Sequence, residues 1–216
     1  MDTSLGQPPP IELPETQFAL LWQQFKAGDA AAFRQIAGRY YRLLYNYGAQ
    51  FSADPEFTRD CIQEMMLELW ERRLRLGEVV SVKAYLLKCL RHRIGRENIR
   101  LQRLNHVEEL AFRSSDPLER PIESVIIETE HERVQIQRLQ QLITALTLRQ
   151  QELIYLRFYQ QLDHDDIAEI MDLSRQSVAN LLHRTLRNLR ERWPASVLLM
   201  IQLLSIGSGP SHLFPV

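Results

Sequence analysis

An all-α fold, two small helical domains joined by a linker, is what the sequence predicts, and three observations predict it. Apolar residues recur every three or four positions over most of the 216 residues. Strand signals, meaning short alternating runs bounded by turn residues, are nearly absent. Helix start signals stand at the heads of periodic stretches, as at Asp54-Pro55 and Ser174.

The elements follow in chain order. Residues 1–14 hold Pro8, Pro9, Pro10 and Pro14 and are expected to form an extended or disordered tail. Residues 15–100 are expected to form the first domain, of four helices. The first spans Thr16 to Ala27 and stops at Gly28-Asp29. The second spans Ala30 to Gln50, with Phe33, Ile36, Ala37, Tyr40, Leu44 and Tyr47 on one face. The third starts at Asp54-Pro55, a cap followed by proline at the first helical position, and runs to about Leu76. The fourth runs from about Ser81 to Arg100. Residues 101–120, with Ser114-Ser115-Asp116-Pro117, have weaker periodicity and are expected to be the linker. Residues 121–193 form the second domain: a helix from Ile122 to Leu146, another from Leu148 to Tyr159, then a helix-turn-helix. Residues 194–216 are an apolar extension, too short to span a bilayer.

Composition suits a soluble globular protein. The chain is 45% hydrophobic and 25% charged, with a formal net charge of -1. Overall charge therefore announces no nucleic-acid partner, but local basic faces act over only about 10 Å and survive that cancellation. No secretory signal is evident. Cys61 and Cys89 form no CxxC and fall at apolar helix positions, so free thiols in a reducing cytoplasm are expected.

The stretch from Leu162 to Arg192 carries the clearest motif. Asp163 is placed to cap a helix, with Asp165 and Asp166 in its positive first turn. Asp172 and Leu173 fill a turn, and Ser174 is placed to cap the next helix. Val178, Leu181, Leu182, Thr185, Leu186 and Leu189 define a buried face. Arg175, Gln176 and Asn180, in the N-terminal half, are candidate base readers, since such side chains can bond base edges in pairs. Arg184 and Arg187 are candidate phosphate contacts, and Ser177 and His183 complete the candidate set. The same pattern also describes an amphipathic helix with a solvated basic face.

Two further clusters stand out. Lys88, Arg91, His92, Arg93, Arg96 and Arg100, interrupted by Glu97 and Asn98, could follow a phosphate backbone, and Arg96 or Asn98 could meet an unstacked base. On the third helix, Phe57, Cys61, Met65 and Leu69 are spaced for burial, while Asp60, Gln63, Glu64, Leu67 and Glu71 share another face. That face suits a protein partner or simple solvation.

Catalysis finds no support. His164 and Asp165 are adjacent on a helix and diverge, so they make no metal pair, and neither cysteine has a recognisable base partner. No metal, cofactor or small-molecule substrate is expected. Two binding functions compete: a polymerase-associated promoter reader, and a stand-alone helix-turn-helix regulator binding duplex DNA as a dimer.

Two segments tip that choice by resemblance. Asp60-Cys-Ile-Gln-Glu-Met-Met-Leu-Glu-Leu-Trp70 resembles the DxxQExFxxLW-type signature of region 2 in the extracytoplasmic-function (ECF) group of sigma-70 factors. Leu148 to Tyr159, continuing through Asp166-Ile-Ala-Glu-Ile-Met171, resembles that group's region 4. The resemblance covers about Gln17 to Arg192. It implies that Asp60, Gln63, Glu64 and Trp70, with Leu67 beside them, dock on the β′ clamp coiled coil of core RNA polymerase. It implies that the basic end of the fourth helix melts and holds the −10 element, and that the helix-turn-helix reads the −35 duplex. The polymerase β flap and an anti-sigma factor are further implied partners. Where the group commonly has an Asn-Leu-Ala-Ile-Asp-like run, this chain has His92-Arg93-Ile94-Gly95-Arg96-Glu97, and Gly95 is a candidate helix break.

Overall fold

The computed structural model describes residues 15–105 and 138–192, and among these every regular element is helical. The Pro-rich head, residues 106–120 of the expected linker, the first part of the helix expected from Ile122, and the apolar tail lie outside the described residues.

Helix α1, Glu15–Lys26, buries Trp22 and Phe25. It stops at Gly28, whose φ of +98° is a region that side chains with a Cβ rarely adopt. Asp29 then caps α2, Ala30–Gly48, accepting from the Ala31 N–H at 2.7 Å. Ile36, Leu44 and Tyr47 form the buried stripe of α2. Gly48 lets α3 approach closely, since a Cβ there would lie 2.8 Å from the Thr58 methyl.

Helix α3, Pro55–Glu71, begins as expected: Asp54 accepts from the Glu56 N–H at 2.9 Å, and Pro55 takes the first helical position. It buries Cys61, Ile62, Met65, Met66 and Leu69, while Phe57 is only half-buried. The helix ends before the expected Leu76, in a 3-10 turn over Arg73–Arg75. The Ser81 hydroxyl accepts from the Ala84 N–H at 3.1 Å at the head of α4, Val82–Asn105. Gly95 does not break α4. It sits on an exposed face with nothing within 4 Å of its would-be Cβ, so it weakens the helix locally without redirecting it. The helix instead continues past Arg100.

In the C-terminal half, the described part of α5 covers residues 138–144 and packs Leu139 and Ile143 with Leu146. Thr147 and Gln150 make a reciprocal capping box that starts α6, Leu148–Ile154, which runs on into a π-type turn at Tyr155–Tyr159. Helices α7, His164–Met171, and α8, Arg175–Arg192, complete the order.

The two halves do not stand apart. One apolar cluster joins Ile36, Leu44, Leu86, Leu87 and Leu90 of the first to Leu153, Leu156, Ile167, Ile170 and Met171 of the second. Helix α7 lies against α4. A smaller cluster of Leu139, Ile143, Leu146, Ile154 and Leu189 belongs to the C-terminal half alone.

Candidate functional site

The helix-turn-helix is built by local chemistry. Asp163 Oδ1 accepts from the Asp166 N–H at 2.8 Å. Asp172 takes the left-handed conformation, φ 52°, which turns the chain sharply, and aspartate tolerates it better than most residues. Ser174 Oγ accepts from the Ser177 N–H at 3.1 Å, making Ser174 the cap of α8. Val178, Thr185 and Leu189 are fully buried, and the Thr185 hydroxyl returns a bond to the Leu181 carbonyl at 2.8 Å. Leu181, Leu182 and Leu186 are half-buried.

All seven α8 candidates are exposed: Arg175, Gln176, Ser177, Asn180, His183, Arg184 and Arg187. Helical spacing brings Gln176, Asn180, His183, Arg184 and Arg187 onto one stripe. Gln176 Nε2 donates to Asn180 Oδ1 at 3.0 Å, which holds the two amides side by side. Arg175 lies off the stripe near Asp165, 3.6 Å away. The Ser177 hydroxyl is engaged with Ser174 at 2.8 Å, within the cap.

On α3, Asp60, Gln63, Glu64 and Leu67 are exposed together, with Leu67 63% exposed. It is an apolar side chain set within a polar face. Trp70 differs. It is half-buried, 5.2 Å from the Phe33 ring and 6.2 Å from Phe25, with the Arg73 guanidinium 4.4 Å above it. Its packing anchors the end of α3 to α1 and α2.

The basic side chains of α4 divide into two groups. Arg93 pairs with Glu64 and Glu97, Arg96 with Glu68 at 3.1 Å, and Arg100 with Glu97 at 2.6 Å, all within the first half. Lys88, Arg91 and His92 turn instead toward the second half. Lys88 lies 3.3 Å from Glu169, His92 2.9 Å from Asp172, and Arg91 2.8 Å from Glu152. Asn98 is half-buried. A cavity of about 490 Å³ opens between α3 and α4, walled by Met65, Leu69, Tyr85 and Cys89, with Arg72 and Arg96 among its polar lining.

Glu152 is the residue that sequence reasoning missed. Its side chain is 4% exposed, yet it takes both the Arg91 guanidinium and the Tyr47 hydroxyl, the latter at 2.8 Å. Burial, with the Glu152 carboxylate adding to it, pushes the Tyr47 phenol well above its ordinary range. Burial opposes the charge on Arg91, but Glu152, with Tyr47 and Asp172, outweighs it and Arg91 is held more firmly protonated. The available signal was the acid's place among Gln151, Leu153, Ile154 and Leu156, a run otherwise headed for the core.

The two cysteines are free, Cys61 buried and Cys89 half-buried. Burial pushes the Cys61 thiol to about 11, away from nucleophilic use. Among the described residues no helix is long and apolar enough to cross a membrane.

Comparison with known proteins shows the family. Residues 36–103 match the family model described as Sigma-70 region 2, and residues 136–189 match Sigma-70, region 4. Between them the two cover more than half of the chain. The ECF RNA polymerase sigma factors SigK of Mycobacterium sp. strains KMS and JLS are each 21% identical over 191 residues, covering 87% of this chain and 96% of theirs. The fold is similar to that of CnrH, solved in complex with the cytosolic domain of CnrY, with a TM-score of 0.54, 18% identity and coverage of 82% of this chain and 97% of that one. The region 2 match falls on the half that a stand-alone regulator would use for sensing or dimerising, and the region 4 match falls on the helix-turn-helix. Both regions stand in the family's order on an all-helical scaffold, and the chain belongs to the extracytoplasmic-function group of sigma-70 RNA polymerase sigma factors.

Proposed function

We propose that this chain binds core RNA polymerase through the exposed face of α3, reads a −35 duplex with α8, and captures the opened −10 strand along α4. One observation carries the reading: the candidate surfaces lie on three separate helices, and those of α3 and α8 are open to solvent. On α3, Leu67 supplies an apolar centre and Asp60, Gln63 and Glu64 a polar rim, the usual anatomy of a small protein interface. Trp70 positions this face rather than touching the partner. On α8, the paired amides of Gln176 and Asn180 suit an adenine edge, while Arg184 and Arg187 suit phosphates. The cavity between α3 and α4 offers Tyr85 as an aromatic wall and Arg72 and Arg96 as phosphate partners, a fitting place for an unstacked base. The β flap remains the proposed polymerase contact of the C-terminal half. CnrH is held by the cytosolic domain of CnrY, and a comparable anti-sigma factor covering these surfaces is part of the proposal.

The test is capture of purified core polymerase by the tagged protein, wild type beside a Gln63→Ala/Leu67→Ala variant. Both positions are exposed, so folding should survive, and capture should drop by roughly tenfold or more. A folded wild type that captures no core enzyme would sink this reading and return the stand-alone regulator.

A further inference from the structure

A second cavity, of about 380 Å³, shares no residue with the surfaces assigned above. Residues of α1 and α2, of the loop leading into α4, and of the segment from Gln160 to the head of α7 line it. We propose that this cavity binds a small apolar α-amino acid, with its carboxylate on Lys83, its ammonium on Asp166 and its side chain against Trp22, Val79, Val82 and Leu162. The volume stands at the small end of the about 300–1,000 Å³ usual for ligand sites, as a molecule of this size requires.

The two charges give the ligand its chemistry. Lys83 and Asp166 are both half-buried, and burial acts against the charge on each: it lowers the Lys83 ammonium and raises the Asp166 carboxyl from their ordinary ranges. Each feels the other's charge, yet they form no ion pair, and the Lys83 ammonium donates to the Gln160 carbonyl at 2.5 Å. Opposite charges desolvated without being joined cost the fold free energy, and a ligand that meets both offsets that cost. A simple acid would suit Lys83 and be repelled by Asp166, and a simple amine the reverse. An α-amino acid carries both charges on one carbon and answers both. Glu78 also lines the cavity, but it already accepts from Gln23 at 2.9 Å, with Lys26 3.7 Å away.

The wall is firmly held. Gln161 keeps φ at 54°, a left-handed conformation uncommon for a residue with a Cβ. The π-type turn at Tyr155–Tyr159 leads the chain into it. Gln160 Nε2 donates to the Tyr155 hydroxyl at 2.9 Å, and Arg157 to the Leu162 carbonyl at 2.8 Å. A site fixed before its ligand arrives loses little freedom on binding. Trp22, Val82 and Leu162 are buried and Val79 half-buried, which gives the ligand's side chain an apolar seat.

Isothermal titration calorimetry on the full chain tests the proposal, with L-leucine and L-phenylalanine as probes. At least one should bind one-to-one with a Kd of about 1 mM or tighter. Each is compared with the acid that lacks its amine, isocaproate or hydrocinnamate, and with the amine that lacks its carboxylate, isoamylamine or phenethylamine. These analogues should bind at least about tenfold more weakly than the parent amino acid. Asp166→Asn keeps the size of the side chain and sheds a charge that burdens the fold, so it stays folded, and thermal melts on the same samples check this. It should weaken binding at least about tenfold, as should Lys83→Met. Glu56→Gln, an exposed change on α3, should stay within about twofold of wild type. The proposal is overturned by a wild type that binds neither amino acid up to about 10 mM. An acid or amine that binds as tightly as its parent, or a folded Asp166→Asn that binds like wild type, overturns it equally.

Discussion

Asp166 sits in the first turn of α7, where a negative charge is favoured by the helix dipole and by the nearby Lys83 ammonium. Burial nevertheless outweighs both, with Asp163 and Glu169 adding repulsion, so its carboxyl is raised above the ordinary range. A raised carboxyl holds its proton more tightly folded than unfolded. Its contribution to stability is complete below the ordinary aspartate value of about 4 and is lost as pH rises through the folded value. At neutral pH the charged form is a net cost. Asp166→Asn should therefore stabilise the protein at pH 7, on the order of 0.5 kcal/mol for a partly exposed group. That corresponds to roughly 1–2 °C in Tm. The gain should vanish near pH 3.5, and thermal melts at the two pH values check the sign. Asp163, three residues earlier, has the opposite duty: its carboxylate caps the helix, and Asp163→Asn would not mimic the effect.

At the scale of the element, α8 separates two kinds of exposed residue. Gln176 and Asn180 bond each other and are positioned as a unit, whereas Arg184 and Arg187 extend the stripe as charges. Substituting the amides should cost sequence discrimination, and substituting the arginines should weaken binding to all duplexes. Asn180→Ala is expected to lower affinity for a preferred −35 duplex by about 1–3 kcal/mol while leaving nonspecific duplex binding near wild type. Arg187→Ala should weaken both and reduce the salt slope of log K by about one. Titrations of the two variants at several salt concentrations distinguish these outcomes; equal losses on both duplexes for Asn180→Ala would remove it as a base reader. This element was legible in the sequence because its determinants are local. Asp163, Asp172 and Ser174 act on backbone groups within a few residues, and the Val178–Thr185–Leu189 stripe needs only helical spacing. The exposed face of α3 was legible for the same reason. Trp70 was not, because its surroundings come from Phe25 and Phe33 on two other helices.

For the whole molecule, local signals ran out. Two halves with ordinary amphipathic helices read as two domains, and no spacing rule reveals that α7 packs on α4 or that Glu152 meets Tyr47 across 105 residues of chain. That pairing depends on the tertiary fold, as does the single apolar cluster that spans both halves. Shared burial has a thermodynamic consequence. Neither half can unfold without exposing residues that the other keeps dry, so the wild type should melt in one cooperative transition, with calorimetric and van't Hoff enthalpies in agreement. Glu152→Ala removes the nearer carboxylate of Arg91, which is part-exposed and keeps Asp172 at 3.5 Å, and the acceptor of the Tyr47 hydroxyl, which is fully buried. Leaving the buried Tyr47 hydroxyl without its acceptor costs about 1–3 kcal/mol. That loss falls on the junction, since Tyr47 and Arg91, the groups that Glu152 bonds, belong to the first half. The variant should therefore show two transitions or a calorimetric enthalpy well above the van't Hoff value. Glu152→Gln, which keeps an acceptor for the Tyr47 hydroxyl, should be milder and retain a single broadened transition. A single sharp transition for Glu152→Ala at the wild-type midpoint would mean that apolar packing alone joins the halves.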